Sequence, residues 1–523
     1  MKMFSAKRLA IVSAWLVTMI TALGAGAYGH KYRAQIRAVF SSVQKGTAIS
    51  TNMQMLKVEQ MVSPAEGRDG GLAVFNGGLL AADRVGKLWF IDAAKAVQPI
   101  NVQIPVNVAE FEADPFNKTT ILHDLFSVKD IAIQPIDGGI RVLASHNHWH
   151  KAERCNTLRV SALETTSEKL LAGGAAAGTW RTIFETTPCR PLEKTPDGGQ
   201  RAGLGVGGRV EPLPDGAVLL TVGGFDPENE LVLQAPQKLD NTYGKTIRID
   251  PVTGKYRPFT IGHRNPQGLA VASSGQIWLT EHAARGGDEL NLLVDQKNYG
   301  YPLVAYGTQY DAMTWPLSKQ QGRHEGFEKP MFVWTPSIGI SQLVVLEKSA
   351  FPEWRGDVIV ASLGGQSLFR VRVEDNRVIF AEPIPIGHRV RDIVEAADGS
   401  IVLKTDDSMI IYLSPLNATT AATTSERGAM LAASCQACHA VTADGAARIG
   451  PSLWKVAGRP IASASGFNYS AGLQAVEGRW TAETLKRYLA DPSAFAPGTT
   501  MQLGTKYTEA QINDLITYLQ ELK

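Results

Sequence analysis

The sequence predicts a multidomain chain: an N-terminal transmembrane or signal helix, a six-bladed β-propeller, and a small all-α domain at the C-terminus. Three observations carry this reading. Residues 9–29 form an uncharged run behind Lys2, Lys7 and Arg8. Six strand–turn–strand units recur through the middle of the chain, with no helix-length periodic segment between them. The tail carries helical periodicity around Cys435-Gln436-Ala437-Cys438-His439. At 523 residues the chain is too long for one core, so several domains are expected.

The run 9–29 is long enough to cross a bilayer as a helix and exceeds an ordinary signal h-region. It reads as an uncleaved anchor over 1–30, followed by a membrane-proximal linker over 31–57. A signal-peptidase site at Ala25-Gly26-Ala27 is the alternative. Lys31 and Arg33 place positive charge on the second flank as well, so charge asymmetry does not orient the helix.

The six units span 58–415. Residues 72–75 turn at Gly77-Gly78 into 79–82, and 131–133 turn at Asp137-Gly138-Gly139 into 140–144. Residues 210–213 turn at Asp215-Gly216 into 218–222, and 268–271 turn at Ser274-Gly275 into 277–280. Residues 343–346 pass Gly356-Asp357 into 358–361, and 393–396 turn at Asp398-Gly399 into 401–404. Six such units predict six blades, with a large β-sandwich as the competing architecture. Fifty glycines and 8% aromatics suit a turn-rich β protein. A net charge of +2 with no basic patch gives no reason to expect nucleic acid. Gly203-Leu204-Gly205-Val206-Gly207-Gly208 matches a dinucleotide fingerprint, but a hairpin follows where that motif needs a helix.

Ser145-His146-Asn147-His148-Trp149-His150 sets three imidazoles at alternate positions, on one face of a strand. That pattern admits a zinc or copper site, a replacement base or substrate site, or a plain polar strand end. His123 and His282 are lone and read as structural. Cys155 and Cys189 are left either as a disulfide or as two thiols.

Cys435 and Cys438 with His439 have the spacing for two thioethers to haem vinyl groups and a proximal imidazole on the iron. Met501, in Pro497-Gly498-Thr499-Thr500-Met501, is the one methionine after His439, and no second imidazole follows. It is therefore the expected sixth ligand, and a thioether there raises the reduction potential. Residues 428–434 form an alanine-rich stretch leading into the attachment site. A helix is expected over 481–490, stopped by Asp491-Pro492. Thr508 with Gln511 is a capping-box pattern opening a helix with Ile512, Leu515, Ile516 and Leu519 on one face. A flexible linker is expected over 416–426. Haem attachment of this kind occurs outside the cytoplasm, which places the body in a periplasm, held at the inner membrane by the anchor or released after cleavage.

Residues 427–523 resemble a mitochondrial-type class I cytochrome c. The matching stretches are 435–439, Ile449-Gly450-Pro451-Ser452-Leu453, Gly458-Arg459, Gly466-Phe467-Asn468-Tyr469, Trp480 and 497–501. The resemblance implies that Pro451 supports His439 and that Arg459 and Trp480 lie near the haem propionates.

A second resemblance runs from about 65 to 416, to the soluble, six-bladed quinoprotein sugar dehydrogenases of the glucose/sorbosone type. It rests on Gly262-His263-Arg264-Asn265-Pro266-Gln267-Gly268, on Glu281-His282-Ala283-Ala284 through Asn291, on Asn298-Tyr299-Gly300-Tyr301-Pro302, and on Gly244 to Asp250 and His388-Arg389-Val390-Arg391-Asp392. It implies pyrroloquinoline quinone (PQQ) and calcium at the mouth of the central channel. Arg264, Asn265, Arg389 and Arg391 would bind the quinone, since guanidinium groups suit carboxylates. The backbone carbonyls of Ala283 and Ala284 would bind calcium, a hard cation. The implied substrate is a sugar or other alcohol, and the implied electron route ends on the haem and then on a downstream redox protein or oxidase. One departure is central. The family sets its catalytic His four residues before the Arg of a Gly-Gly-Arg turn; that Arg is Arg209, and Gly205 stands where the base belongs. A quinone-binding lysine is also missing, with Gly364 near its place. The catalytic residue is therefore unassigned, and a non-catalytic propeller that docks or binds ligand for an electron-carrying cytochrome is the alternative function.

Overall fold

The computed structural model describes residues 44–523 except 52, 115–116, 118–119, 122–125, 192–199, 202–204, 225–233, 319, 417–420, 422, 444–448, 504–505 and 523. The anchor expected over 1–30 and the start of the linker lie outside the described residues, as does His123. Among the described residues no helix is long and apolar enough to cross a membrane.

Six antiparallel sheets form the body. Their innermost strands are Gly71–Phe75, Val128–Ile136, Gly207–Pro212, Pro266–Val271, Ile340–Val345 and Val390–Glu395. Each inner strand touches the next around a ring, and the last touches the first. Each of the six hairpins read from the sequence supplies the inner two strands of one blade.

The ring closes with a strand from the far end of the sequence. Blade 6 runs Val390–Glu395, Ile401–Thr405, Met409–Leu416 and then Met55–Val62 and Gln44–Ser50. Met55 pairs with Leu416 and Val62 with Met409. Residues 44–57, expected as linker, are therefore largely blade. The reason is topological: a blade assembled from both ends of the sequence locks the ring shut and leaves fewer open sheet edges.

Among the described residues, six apolar clusters of the body occupy the six seams between blades. Strand Val218–Val222 shows why the strands read as near-continuous apolar runs. Val218 and Leu220 pack toward blade 2, while Leu219 packs toward blade 4. Leu79 and Leu80 likewise face opposite neighbours. A sheet buried on both faces needs apolar residues at both parities of the strand.

The tail folds as helices. Thr424–Ala432 opens with a Thr423/Glu426 capping box, Ala482–Ala490 is capped by Thr481, and Glu509–Glu521 by Thr508 with Gln511. The first begins earlier than the alanine content of 428–434 indicates, because the capping box sets its start. Gly428 marks the crossing of the first and last of these helices: a Cβ there would lie 2.0 Å from the Asp514 carbonyl oxygen. Ile512, Leu515, Ile516 and Leu519 are all buried, as their spacing predicts.

Candidate functional site

Two sites are built on this frame, one at the mouth of the channel and one in the helical tail. At the mouth, loops and first residues of the inner strands deliver the side chains. Arg264 and Asn265 precede Pro266–Val271, and Arg389 and Arg391 flank the start of Val390–Glu395. Arg264 is buried, donates from Nη1 to the His282 carbonyl at 2.8 Å, and lies against the rings of Tyr310 and Trp315. Its Nε is buried without a partner. A buried guanidinium with an unspent donor fits a carboxylate ligand, since the unmet donor otherwise costs about 1–3 kcal/mol. Asn265 Oδ1 accepts from Gln267 at 2.6 Å. Arg389 and Arg391 share one carboxylate: both bond Asp406 at 2.9 Å. Asp406 fixes both guanidinium groups at the mouth, in position to meet an anionic ligand. Ala283 and Ala284 sit in the bend after Glu281, held by Asp288, which accepts from the Ala283 amide at 2.8 Å. The residues present therefore fit a polycarboxylate quinone.

The hub of the mouth is a residue that the sequence served only to mark. Arg209 is buried and bridges four blades. Nη1 donates to Asp130 at 3.2 Å and to Asp392 at 3.0 Å, Nε to the Gln267 carbonyl at 2.9 Å, and Nη2 to the Arg391 carbonyl at 2.7 Å. Asp392 also accepts from the Leu72 amide at 2.8 Å, adding blade 1. Burial pushes the Asp130 carboxyl up to about 7, with Arg209 pulling it down and Asp392 adding to the rise. Beside this hub, Asp69 accepts from Ser127 at 2.5 Å and from Lys129 at 3.0 Å. Burial pushes Asp69 up, but Lys129, Arg391 and the Ser127 hydrogen bond outweigh it and hold the carboxyl at about 2. It is ionised at neutral pH and a weak base. The partners of Arg209 stand 79 and 183 positions away, so no local pattern announces the hub.

Gly205 has φ +63° and leads into the inner strand of blade 3, and no helix follows it, so the dinucleotide reading is excluded structurally. The three imidazoles of blade 2 do not form a metal site. His146 bonds the Asn147 carbonyl and Ser161, both at 2.9 Å, and His150 bonds Glu185 at 2.6 Å. His148 stacks edge-on to His150 with centroids 4.9 Å apart. Among the described residues no group of three His, Cys, Asp or Glu side chains converges for a metal ion. Ser161 and Glu185 engage His146 and His150 separately, and His148 is left with its Nδ1 buried and without a partner. Burial holds both His146 and His148 down at about 4. Cys155 and Cys189 are joined as a disulfide, with Cα atoms 5.7 Å apart. A cleft of about 410 Å³ lies on the opposite face, between blades 4 and 5, away from all of these residues.

In the tail, Cys435 opens a short 3-10 turn that carries the attachment sequence out of the first helix. His439 Nδ1 donates to the Pro451 carbonyl at 2.7 Å, which fixes the tautomer and leaves Nε2 with the lone pair that would ligate a haem iron. Gly450 lies flat on the ring: a Cβ would stand 2.4 Å from His439 Cε1. Arg459 donates to the Ser452 carbonyl at 2.8 Å and the Trp454 carbonyl at 3.2 Å, while its Nε is buried without a partner. That unspent donor fits a haem propionate. Met501 is half-buried against the same core as Trp480. Two thiols, an oriented imidazole, a thioether and an unspent guanidinium donor fit haem c.

Known proteins match the two parts of the chain separately. The glucose/sorbosone dehydrogenase family model matches residues 71–412, and the cytochrome c model matches 425–523. An uncharacterised Synechocystis protein is 29% identical over 69% of this chain and 86% of its own length. An aldose sugar dehydrogenase of Escherichia coli is 32% identical over 35% of this chain, a match spanning 53% of that protein. A cytochrome c homolog of Rickettsia bellii is 40% identical over 18% of this chain and 55% of its own length. A solved glucose dehydrogenase superposes with a TM-score of 0.57 at 25% identity, covering 69% of this chain and 99% of that one.

Proposed function

Because the chain belongs to the glucose/sorbosone dehydrogenase family and carries a cytochrome c domain at its C-terminus, we propose that it oxidises a sugar or other alcohol with PQQ and calcium and delivers the electrons to haem c. The single observation that carries the reading is the buried, partly unspent Arg264 at the channel mouth, on the same end of the propeller as Arg389 and Arg391 with their shared Asp406. The quinone, when bound, accepts the hydride equivalent. The chain's own residues bind and orient: Arg264 and Asn265 from blade 4, Arg389 and Arg391 from blade 6. The Ala283 and Ala284 carbonyls would hold calcium. The body stands in the periplasm, anchored by 1–30, with a downstream redox protein or oxidase as acceptor.

Binding tests this directly. PQQ added with calcium should bind one per chain, and Arg264→Ala should weaken it at least tenfold, the loss expected for one charge-assisted carboxylate contact. Equal affinity in the variant contradicts the assignment. Gly205 favours the second reading, in which the propeller docks or binds ligand without turnover. Quinone binding without oxidation of any aldose or polyol in a broad panel supports that reading over the first.

A further inference from the structure

The helical tail packs against the propeller at a place that bears on where its electrons come from. The helix Thr424–Ala432 touches the outer two strands of blade 6, Gln44–Ser50 and Met55–Val62. Met55, Leu416 and Ala48 join the same apolar cluster as Ala429, Ala432 and Leu522. Lys57 pairs with Glu426 at 3.3 Å, and that carboxylate is only 4% exposed. A shared core and a buried ion pair make this a seated domain, since an isolated buried carboxylate is costly.

Register fixes how far this seat is from the mouth. Arg389, Arg391 and Asp406 lie at one end of blade 6. Met55 and Leu416 pair at the other end. Met409 to Leu416 spans seven residue steps, about 23 Å at roughly 3.3 Å per step. Sideways, four strand-to-strand steps separate Val390–Glu395 from Gln44–Ser50, about 19 Å at roughly 4.8 Å each. The helix adds about 10 Å of its own width. Electron tunnelling falls exponentially with distance, and both directions separate the mouth from the seat of the helix that leads into Cys435.

We propose that the seated haem is reduced by the propeller of a second copy of this chain rather than by its own. The inference rests on the proposed function above. Oxidation of one alcohol group releases two electrons and two protons. Each haem iron takes one electron, Fe(III) to Fe(II), so two chains share each turnover and the protons pass to solvent. Encounter between copies, not intrachain hopping, then sets the rate.

Two measurements on the full chain test this. Pulsed electron paramagnetic resonance between the ferric haem and a nitroxide on Tyr310→Cys, beside Arg264 at the mouth, should give one narrow distance beyond roughly 30 Å. A short distance overturns the proposal without touching the proposed function. In stopped flow with quinone, calcium and an aldose, the observed rate constant of haem reduction should rise tenfold for a tenfold rise in protein. A rate independent of concentration overturns it. A quinone-loaded Cys435→Ala/Cys438→Ala variant, which lacks haem, should reduce the haem of a chain disabled by Arg264→Ala. Failure of that mixture while the wild type turns over also overturns it. A haem that no substrate reduces at any concentration removes the proposed function and this inference together.

Discussion

Arg209→Leu tests the hub of the propeller. The guanidinium makes four bonds inside the channel, two of them to the buried carboxylates Asp130 and Asp392. Removing one partner of a buried ion pair costs about 3–5 kcal/mol, because the remaining charge is left without compensation. The cost depends on pH in a defined direction. Asp130 titrates at about 7 in the folded protein against 3.8 for the free side chain. A carboxyl raised on folding binds its proton more tightly when folded. The stability it contributes is present below pH 4 and lost as pH rises through 7. Without Arg209 the raised value moves further up, so the variant's deficit is largest near pH 8 and shrinks as Asp130 protonates. Calorimetry of the propeller transition should show a deficit of about 3–5 kcal/mol at pH 8 and less than half of it at pH 5. A deficit under about 1 kcal/mol, or one that does not change with pH, refutes the reasoning.

Three further outcomes follow from single contacts. Gly450→Ala puts a methyl group 2.4 Å from His439 Cε1, so the ring must move and its bond to Pro451 loosens; the haem domain should lose about 1–3 kcal/mol and its reduction potential should shift, and an unchanged potential and melting temperature count against the ring contact. His146 is held at about 4 against 6.5 when free; a depressed base contributes stability present above pH 6.5 and lost as pH falls through 4, about 3 kcal/mol in all, and His146→Asn should flatten that part of the acid-denaturation curve. Gly205→His restores an imidazole where the family keeps its base, at about 1–2 kcal/mol of strain for a left-handed residue. Its kcat with an aldose should rise at least tenfold, short of the full 10²–10⁴ of a well-placed base, and unchanged kcat places the proton acceptor elsewhere.

The inner half of every blade was legible because Gly and Asp-Gly turns punctuate two short apolar strands, a local signal. Outer strands such as Tyr256–Ile261 and Val97–Gln103 carry mixed exposure and leave no such mark. The closing strand Met55–Val62, of which the sequence places only 58–62 inside the propeller, carries no hairpin signal because its partner, Met409–Leu416, is supplied by the far end of the chain. The haem-attachment sequence stood out because thioether chemistry demands a fixed Cys-x-x-Cys-His spacing, and the cytochrome c family model covers that stretch. Arg209 was visible as a turn marker but not as a hub, since its role exists only once four blades converge. The three histidines alternate as read, yet Ser161 and Glu185 engage His146 and His150 separately, and His148 keeps a buried Nδ1 without a partner.

The proposed route carries electrons from an alcohol through the propeller mouth to iron in the tail. The most direct measurement is the visible spectrum of the purified, haem-loaded chain with PQQ and calcium, recorded without oxygen before and after an aldose is added. The account predicts that the haem becomes ferrous, at two haems per sugar oxidised, and that Arg264→Ala slows this at least tenfold. A haem that stays ferric with bound quinone across a broad panel of aldoses and polyols contradicts it.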